Sequence, residues 1–523
     1  MAERLRTWAG EGWSEAVAQV AVTGSWHSLD SWTDGPEGSS SGSILDHMYG
    51  VFPDNAPRAA YEVRLRADGS YRVATSPDID TLFPARLVFD PDFRYPGHPL
   101  PGMPRPAAAD PTGLPTDPAV LAGVSALVEE FAQHHTRITG HAPRWEPGRT
   151  EEEIAEAESR IRARLPEDLR ALFRLVGRDA AESGLLGRYS HGSLEDLVEQ
   201  YWDGLPGASA EPEQDCPLDE EDVVLEAFPP GRVKRVSRND WWVTFGDNGD
   251  GEAIVVDLDP GPAGRSGQVL EYGRNVDEPP RYVAGSVTEM LSAVVNALRE
   301  DRYKFDEGDP RLRADVDFHR DRTPNRFHSF PDVPELDVRA AVAELDEPAL
   351  IQSAGLSNEG AIDLGGLAPL VSLRRLAVHR AGSVRAAVSE LAALESLSIT
   401  ASNVDLSALA GHPVLWDLTL AGVGHPVDLS VLATLPRLTR LSLAGLDVPE
   451  IERLGELRSL RMLTLDAAQL HQLLARDTRL PHLAALSITG HVVLSDVVKF
   501  RRRLRDAPVR FAEFTGRLDS VVM

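Results

Sequence analysis

Cysteine and lysine are almost missing from these 523 residues. The lone cysteine, Cys216, excludes an intrachain disulfide and a cysteine-based zinc site. Only Lys234, Lys304 and Lys499 are lysine, so nearly all the positive charge is arginine, which in a chain this rich in Ala, Pro and Gly accords with GC-rich coding. No run approaches the roughly 18 apolar residues of a membrane span. The start, MAERLRTWAGEGW, has no apolar stretch of the kind a secretory signal needs. These absences point to a cytoplasmic protein. Positive charge is also scarce: 53 Lys and Arg stand against 81 Asp and Glu, a net of -28. From Thr150 to Glu300 there are 32 acidic and 15 basic residues, a net of -17. Such a field repels nucleic acid and attracts basic partners, besides keeping a chain soluble.

What is present is globular: 42% hydrophobic and 26% charged residues, over a length that predicts two to four domains. The first region, 1–140, has a hairpin pattern in YEVRLR (61–66) and SYRVAT (70–75) around Asp68-Gly69. A proline-rich spacer follows. Asp117 and Pro118 then open a helix with Val120, Val124, Leu127, Val128 and Phe131 on one face.

The second region, 145–302, begins with a capping box, Thr150 and Glu153, and an apolar stripe of Ile154, Ala157 and Ile161. Pro166 starts another helix, with Gly177 at its end. Strands are expected at VVLEAF (223–228), WWVTF (241–245), AIVVDL (253–258) and QVLEY (268–272). Ser286 and Glu289 read as a second capping box, before a helix that buries Met290, Leu291, Val294, Val295 and Leu298. The pattern is an α+β domain with an antiparallel sheet.

A connecting segment, 303–355, leads to a repeat. Six segments share L-x-x-L-x-(L/I/V), starting at residues 373, 394, 415, 438, 460 and 483, spaced by 21, 21, 23, 22 and 23. That period predicts a C-terminal α/β leucine-rich-repeat solenoid over 356–491, with a cap at 492–523. The usual asparagine is replaced by Ala381, Ser402, Val423, Leu446, Ala468 and His491, so the turns must be satisfied in another way.

The stretch FGDNGDGEAIVVDLDPGPAGRSGQVLEYGRN (245–275) is the strongest chemical candidate. Read as a calcium loop from Asp247, its third and fifth positions are Gly249 and Gly251, so the ligand set fails. A phosphate cradle needs its glycines to open a helix, whereas Gly261, Gly264 and Gly267 precede a strand. Asp247-Asn248-Gly249 and Asp259-Pro260-Gly261 are turn chemistry. Together with TEEEIAEAESRIRARLPEDLRALFRLVG (150–177) and SVTEMLSAVVNAL (286–298), this stretch resembles the SUKH superfamily over about 145–300. That family includes fungal regulators of cell-wall synthesis and bacterial immunity proteins that neutralise toxins. The resemblance implies binding rather than catalysis, with no catalytic residues to carry over.

Other motifs are weaker. Gly38-Ser39-Ser40-Ser41-Gly42 fits a nucleophile-elbow pattern but sits in a Ser/Gly-rich loop. His134 and His135 are adjacent and do not share a helical face. Arg501-Arg502-Arg503-Leu504-Arg505 suits the solvated face of a cap helix.

Between the last two core positions of each repeat stand Ala377, Ser398, Thr419, Ser442, Thr464 and Ser487, expected on the concave face. Beside them the expected partner-binding residues are Trp416, Asp417, Arg440, Arg375 and Asp466, with Thr419 and Ser442; Trp416 is taken as an exposed aromatic. The reading is an α+β multidomain protein that binds proteins, with no catalytic residues, cofactor or metal. Its expected partner is a basic toxin or effector domain rather than nucleic acid or membrane. The alternative is a signalling or cell-envelope scaffold.

Overall fold

The computed structural model describes residues 2–9, 12–23, 26–34, 59–79, 81–82, 85–203, 223–273, 280–306, 309–316, 326–333, 336–505 and 509–518. Cys216 and the 38–42 motif lie outside these. Packing divides the chain into two units, one of 1–93, 216–220 and 326–523, the other of 94–215 and 221–325. Each unit is assembled from separated stretches of the sequence.

In the second unit, an antiparallel sheet runs in the order Arg281–Ala284, Gln268–Gly273, Glu252–Asp257, Trp242–Asp247, Ser190–His191. Helices Glu151–Ile161, Glu167–Leu175, Leu194–Asp203 and Val287–Arg299 share one hydrophobic core with it. The Thr150–Glu153 capping box is present. The second expected box is half of one: Ser286 accepts from Glu289 N, but the Glu289 carboxylate accepts from Gly285 N at 2.9 Å. The helix Pro118–Thr139, capped by Asp117, is expected from its position to belong to the first region. It instead buries Val124, Val128 and Phe131 in this core, because its apolar face needs a layer to cover it. The hairpin Tyr303–Asp306 and Asp309–Ala314 lies in the expected connector, and its Leu312 is buried in the same core.

Residues 223–228 are not a strand. Val223, Val224 and Leu225 are buried, and Ala227 and Val233 cover Val255, Leu270 and Tyr282 on the sheet's other face. A short apolar run specifies burial, not strand pairing.

The first unit has two sheets. One is antiparallel, in the order Trp26–Thr33, Glu15–Thr23, Ala59–Arg66, Ser70–Ser76, Ala512–Arg517. It contains the expected hairpin, in register from Ala60↔Ser76 to Leu65↔Tyr71. Helix Ala2–Ala9 packs Leu5 and Trp8 with Val20, Val63 and Leu65. The other sheet is the repeat. Its parallel strands follow chain order from Phe327–Ser329 through Ser353–Ser357, Arg375–Arg385, Ser396–Asp405, Asp417–Ala421, Arg440–Ser442 and Met462–Asp466 to Ala485–Thr489. Leu376, Leu397, Leu418, Leu441, Leu463 and Leu486 stand opposite one another in succession. The upstream segment 351–356 joins this ladder although Ala354 holds its central core position.

The missing asparagines have substitutes. Ala361–Asp363 and the distal halves of Arg375–Arg385 and Ser396–Asp405 form a second short parallel ladder that uses the turn's backbone groups. Further along, the buried Gln469 amide donates to Leu443 O and Leu446 O at 2.7 and 2.8 Å. The last repeat strand is closed by Ala85–Val88, antiparallel to it, which leaves its outer backbone groups paired.

Candidate functional site

Side chains alternate along a strand, so with Leu376, Leu397 and Leu418 inward, Ala377, Ser398, Thr419, Ser442 and Thr464 form an aligned, partly exposed row on the opposite face. The residues two places earlier make a second aligned row: Arg375, Ser396, Asp417, Arg440 and Met462.

That second row is bonded from repeat to repeat. Arg375 Nε donates to Ser353 Oγ at 3.0 Å. Ser396 Oγ donates to Asp417 Oδ2 at 2.5 Å. Arg440 grips Asp417 with two bonds of 2.7 Å, from Nε and Nη2. Where each strand begins, a parallel string runs beside it: Arg374 Nη1 donates to Glu395 Oε1 at 2.7 Å, and Trp416 Nε1 donates to Glu395 Oε2 at 3.2 Å. The Arg440 guanidinium lies 5.5 Å from the Trp416 ring centre, which ties the two strings together.

This arrangement corrects one expectation. Trp416 is not an exposed aromatic: it is 2% exposed, beside Asp417 at 4%. Two carboxylates sunk between repeats need donors, and the indole N–H and the guanidinium supply them. Asp466 also has a local task, capping helix Ala467–Ala475 in a box with Gln469 and accepting from Gly445 N at 2.8 Å. Thr419 and Ser442 do lie on the outward row. Arg374, Glu395, Ser396 and Ser353 were missed. Reading the repeats in columns would have found them, since Arg374, Glu395 and Trp416 share one column and Arg375, Ser396, Asp417 and Arg440 the next.

The Asp/Gly stretch of the second unit is two strand connections. Asp247 Oδ1 accepts from Gly249 N at 3.0 Å, and Asn248 Oδ1 accepts from Asp250 N and Glu252 N at 2.9 and 3.1 Å. Gly261 and Gly264 are fixed by space: a β-carbon would collide with the backbone carbonyls of Gly231 and Arg232. Among the described residues, no three His, Cys, Asp or Glu side chains come together as metal ligands would.

Much of the local acidity serves the interior. Glu158 meets Arg170 at 2.6 Å and accepts from Leu165 N. Asp168 accepts from Thr288 N at the start of Val287–Arg299. Glu271 is fully buried and accepts from Arg188 and from the buried Tyr189 hydroxyl. Seven further acids fall in 211–222, outside the described residues.

Asp257 belongs to the same buried set. It is fully buried, with Gln268 Nε2 on one oxygen at 2.8 Å and Asp259 N on the other at 3.0 Å. Burial pushes its carboxyl up from 3.8 to about 6, against those hydrogen bonds. A raised folded value means stability that is complete below 3.8 and lost as pH rises through about 6. The gap corresponds to about 3 kcal/mol. In urea titrations, wild type minus Asp257→Asn should lose about that much between pH 4 and 7. Parallel pH profiles for the two proteins would disprove it.

Residues 148–293 match the SMI1 / KNR4 family (SUKH-1). This SUKH-1 match spans the helix-capped sheet and the Asp/Gly connections described above. Over 173 residues the chain is 30% identical to the cell wall biosynthesis/cell cycle regulator smi1 of Schizosaccharomyces pombe, covering 32% of this chain and 34% of that protein. It is 30% identical over 89 residues to a glucan synthesis regulatory protein of Neurospora crassa, covering 17% of this chain and 16% of that one. The chain thus spans about a third or less of the length of these curated relatives. Similar solved structures include two Listeria monocytogenes internalins, which are leucine-rich-repeat proteins. Internalin C2 matches at 17% identity and a TM-score of 0.21, covering 30% of this chain and 77% of its own. Internalin inlF matches at 17% and 0.22, covering 32% and 58%. No helix among the described residues is long and apolar enough to cross a membrane.

Proposed function

We propose that this protein works by binding another protein, as an immunity-type factor that holds a basic toxin or effector domain. The SUKH-1 match over 148–293 carries the reading. The acidic excess of that region supplies long-range attraction. The repeat sheet, taken as one wall of a solenoid, supplies a second surface: the row Ser398, Thr419, Ser442 and Thr464, small enough to admit a partner's side chains, rimmed by Arg375 and Arg440. A regulatory scaffold of the cell envelope is the second reading, favoured by the names of the fungal relatives.

Affinity capture with mass spectrometry identifies the partner, and co-expression separates the readings: an immunity factor restores growth to cells making the partner, and a scaffold does not. For the captured partner, raising salt from about 0.05 to 0.5 M should lower k_on by roughly tenfold or more and leave k_off nearly unchanged, because screening acts on encounter. An acidic partner, or an association rate indifferent to salt, would refute the electrostatic part.

A further inference from the structure

The geometry points to a second copy of this chain as the occupant of the free edge of the strand Ala512–Arg517, paired antiparallel with itself about Thr515. This self-association stands apart from the function proposed above and from the region that carries it.

Among the described residues, Ala512–Arg517 is the last strand of its sheet, bonded on one side to Ser70–Ser76. Its next residue, Leu518, donates N–H to Gly69 O at 2.9 Å. Backbone groups alternate in direction along an antiparallel strand, so Ala512, Phe514 and Gly516 share that inward direction. Glu513, Thr515 and Arg517 turn their N–H and C=O groups to the open edge. An edge of this kind is a template for another strand.

Self-pairing about Thr515 satisfies three conditions at once. Thr515 faces Thr515 of the second copy as a doubly hydrogen-bonded pair, and both have outward backbone groups. Glu513 faces Arg517 of the second copy, and Arg517 faces its Glu513, so the edge is complementary in charge to itself. Glu513 already meets Arg72 within its own sheet and would then lie between two guanidinium groups. Phe514 faces Gly516 of the second copy in a close, non-hydrogen-bonded pair. Phe514 is 60% exposed, a large apolar side chain without cover. Gly516 has no side chain, and a β-carbon there would run into the Tyr71 ring. The Tyr71 ring already covers that glycine, so Phe514 of the second copy would pack against the exposed side of this ring. The contact is isologous and closed, so it stops at a dimer.

A pair of six-residue strands buries less than the roughly 1,000 Å² of a stable complex, so the dimer should be weak. Sedimentation velocity of the full chain across about 5–500 µM should show reversible monomer–dimer exchange. Thr515→Pro removes an outward N–H that the Ser70–Ser76 ladder does not use. It should abolish the dimer with an unchanged circular dichroism spectrum and melting curve. Glu513→Arg should weaken association at least tenfold, and adding Arg517→Glu in the same chain should restore it. A wild type that stays monomeric through 500 µM, a dimer indifferent to Thr515→Pro, or a double variant no better than Glu513→Arg would each overturn the assignment.

Discussion

Leu418→Asp unfolds the repeat-bearing unit. Leu418 is fully buried, between Leu397 and Leu441 in the ladder. The substitution removes a leucine from a close-packed column and puts a carboxylate in its place with no donor within the leucine ladder. The lost packing alone costs about 2–5 kcal/mol, and the unpaired charge adds several more. Together these rival the total stability of an ordinary domain, about 5–15 kcal/mol. Repeats stabilise one another only through neighbours, so a break in the middle leaves short arrays on either side. The helix-and-sheet core of the other unit is a separate cluster. In urea monitored by circular dichroism, the variant should therefore lose one part of the transition and keep the other. A single transition at the wild-type midpoint would show that Leu418 is not a core residue.

Trp416→Ala should lower the stability of the same unit by about 3–5 kcal/mol, as for other buried aromatic truncations. The indole is 2% exposed, and its loss removes a donor from Glu395 and the ring beneath Arg440. Trp416→Phe keeps most of the packing and drops only the N–H. It should cost about 1 kcal/mol, because Glu395 keeps Arg374. Denaturant midpoints of the two variants measure the difference. The alternative, that Trp416 is a contact residue, makes the opposite forecast: an unchanged midpoint and faster release of the partner. That result would require the side chain to be outside the sheet's interior.

These two positions mark how far sequence reading reaches. Leu418 was legible because the L-x-x-L-x-L column repeats at nearly constant spacing, and a period of that kind has few physical realisations. Trp416 was located by the same repeat, but its exposure was not. Whether a side chain at a strand entrance faces water depends on what the repeats on either side offer it. Here Glu395 and Arg440 come from the two neighbouring repeats.

Sequence by itself determined what is local or periodic in this protein. The caps at Asp117, Thr150 and Ser286 follow from side-chain oxygens within reach of nearby N–H groups. The hairpin at Asp68-Gly69 and the Asp/Gly connections follow from turn chemistry, and the repeat ladder from its period. Only the tertiary structure decided which distant segments meet. Ala512–Arg517 lies on Ser70–Ser76, Ala85–Val88 closes the repeat sheet, and Pro118–Thr139 joins the second unit. Ala227, in the run 223–228, covers a sheet that this run does not extend. In each case the local pattern states only that an edge or an apolar face needs a partner. The partner is chosen by which surfaces the rest of the fold brings within reach.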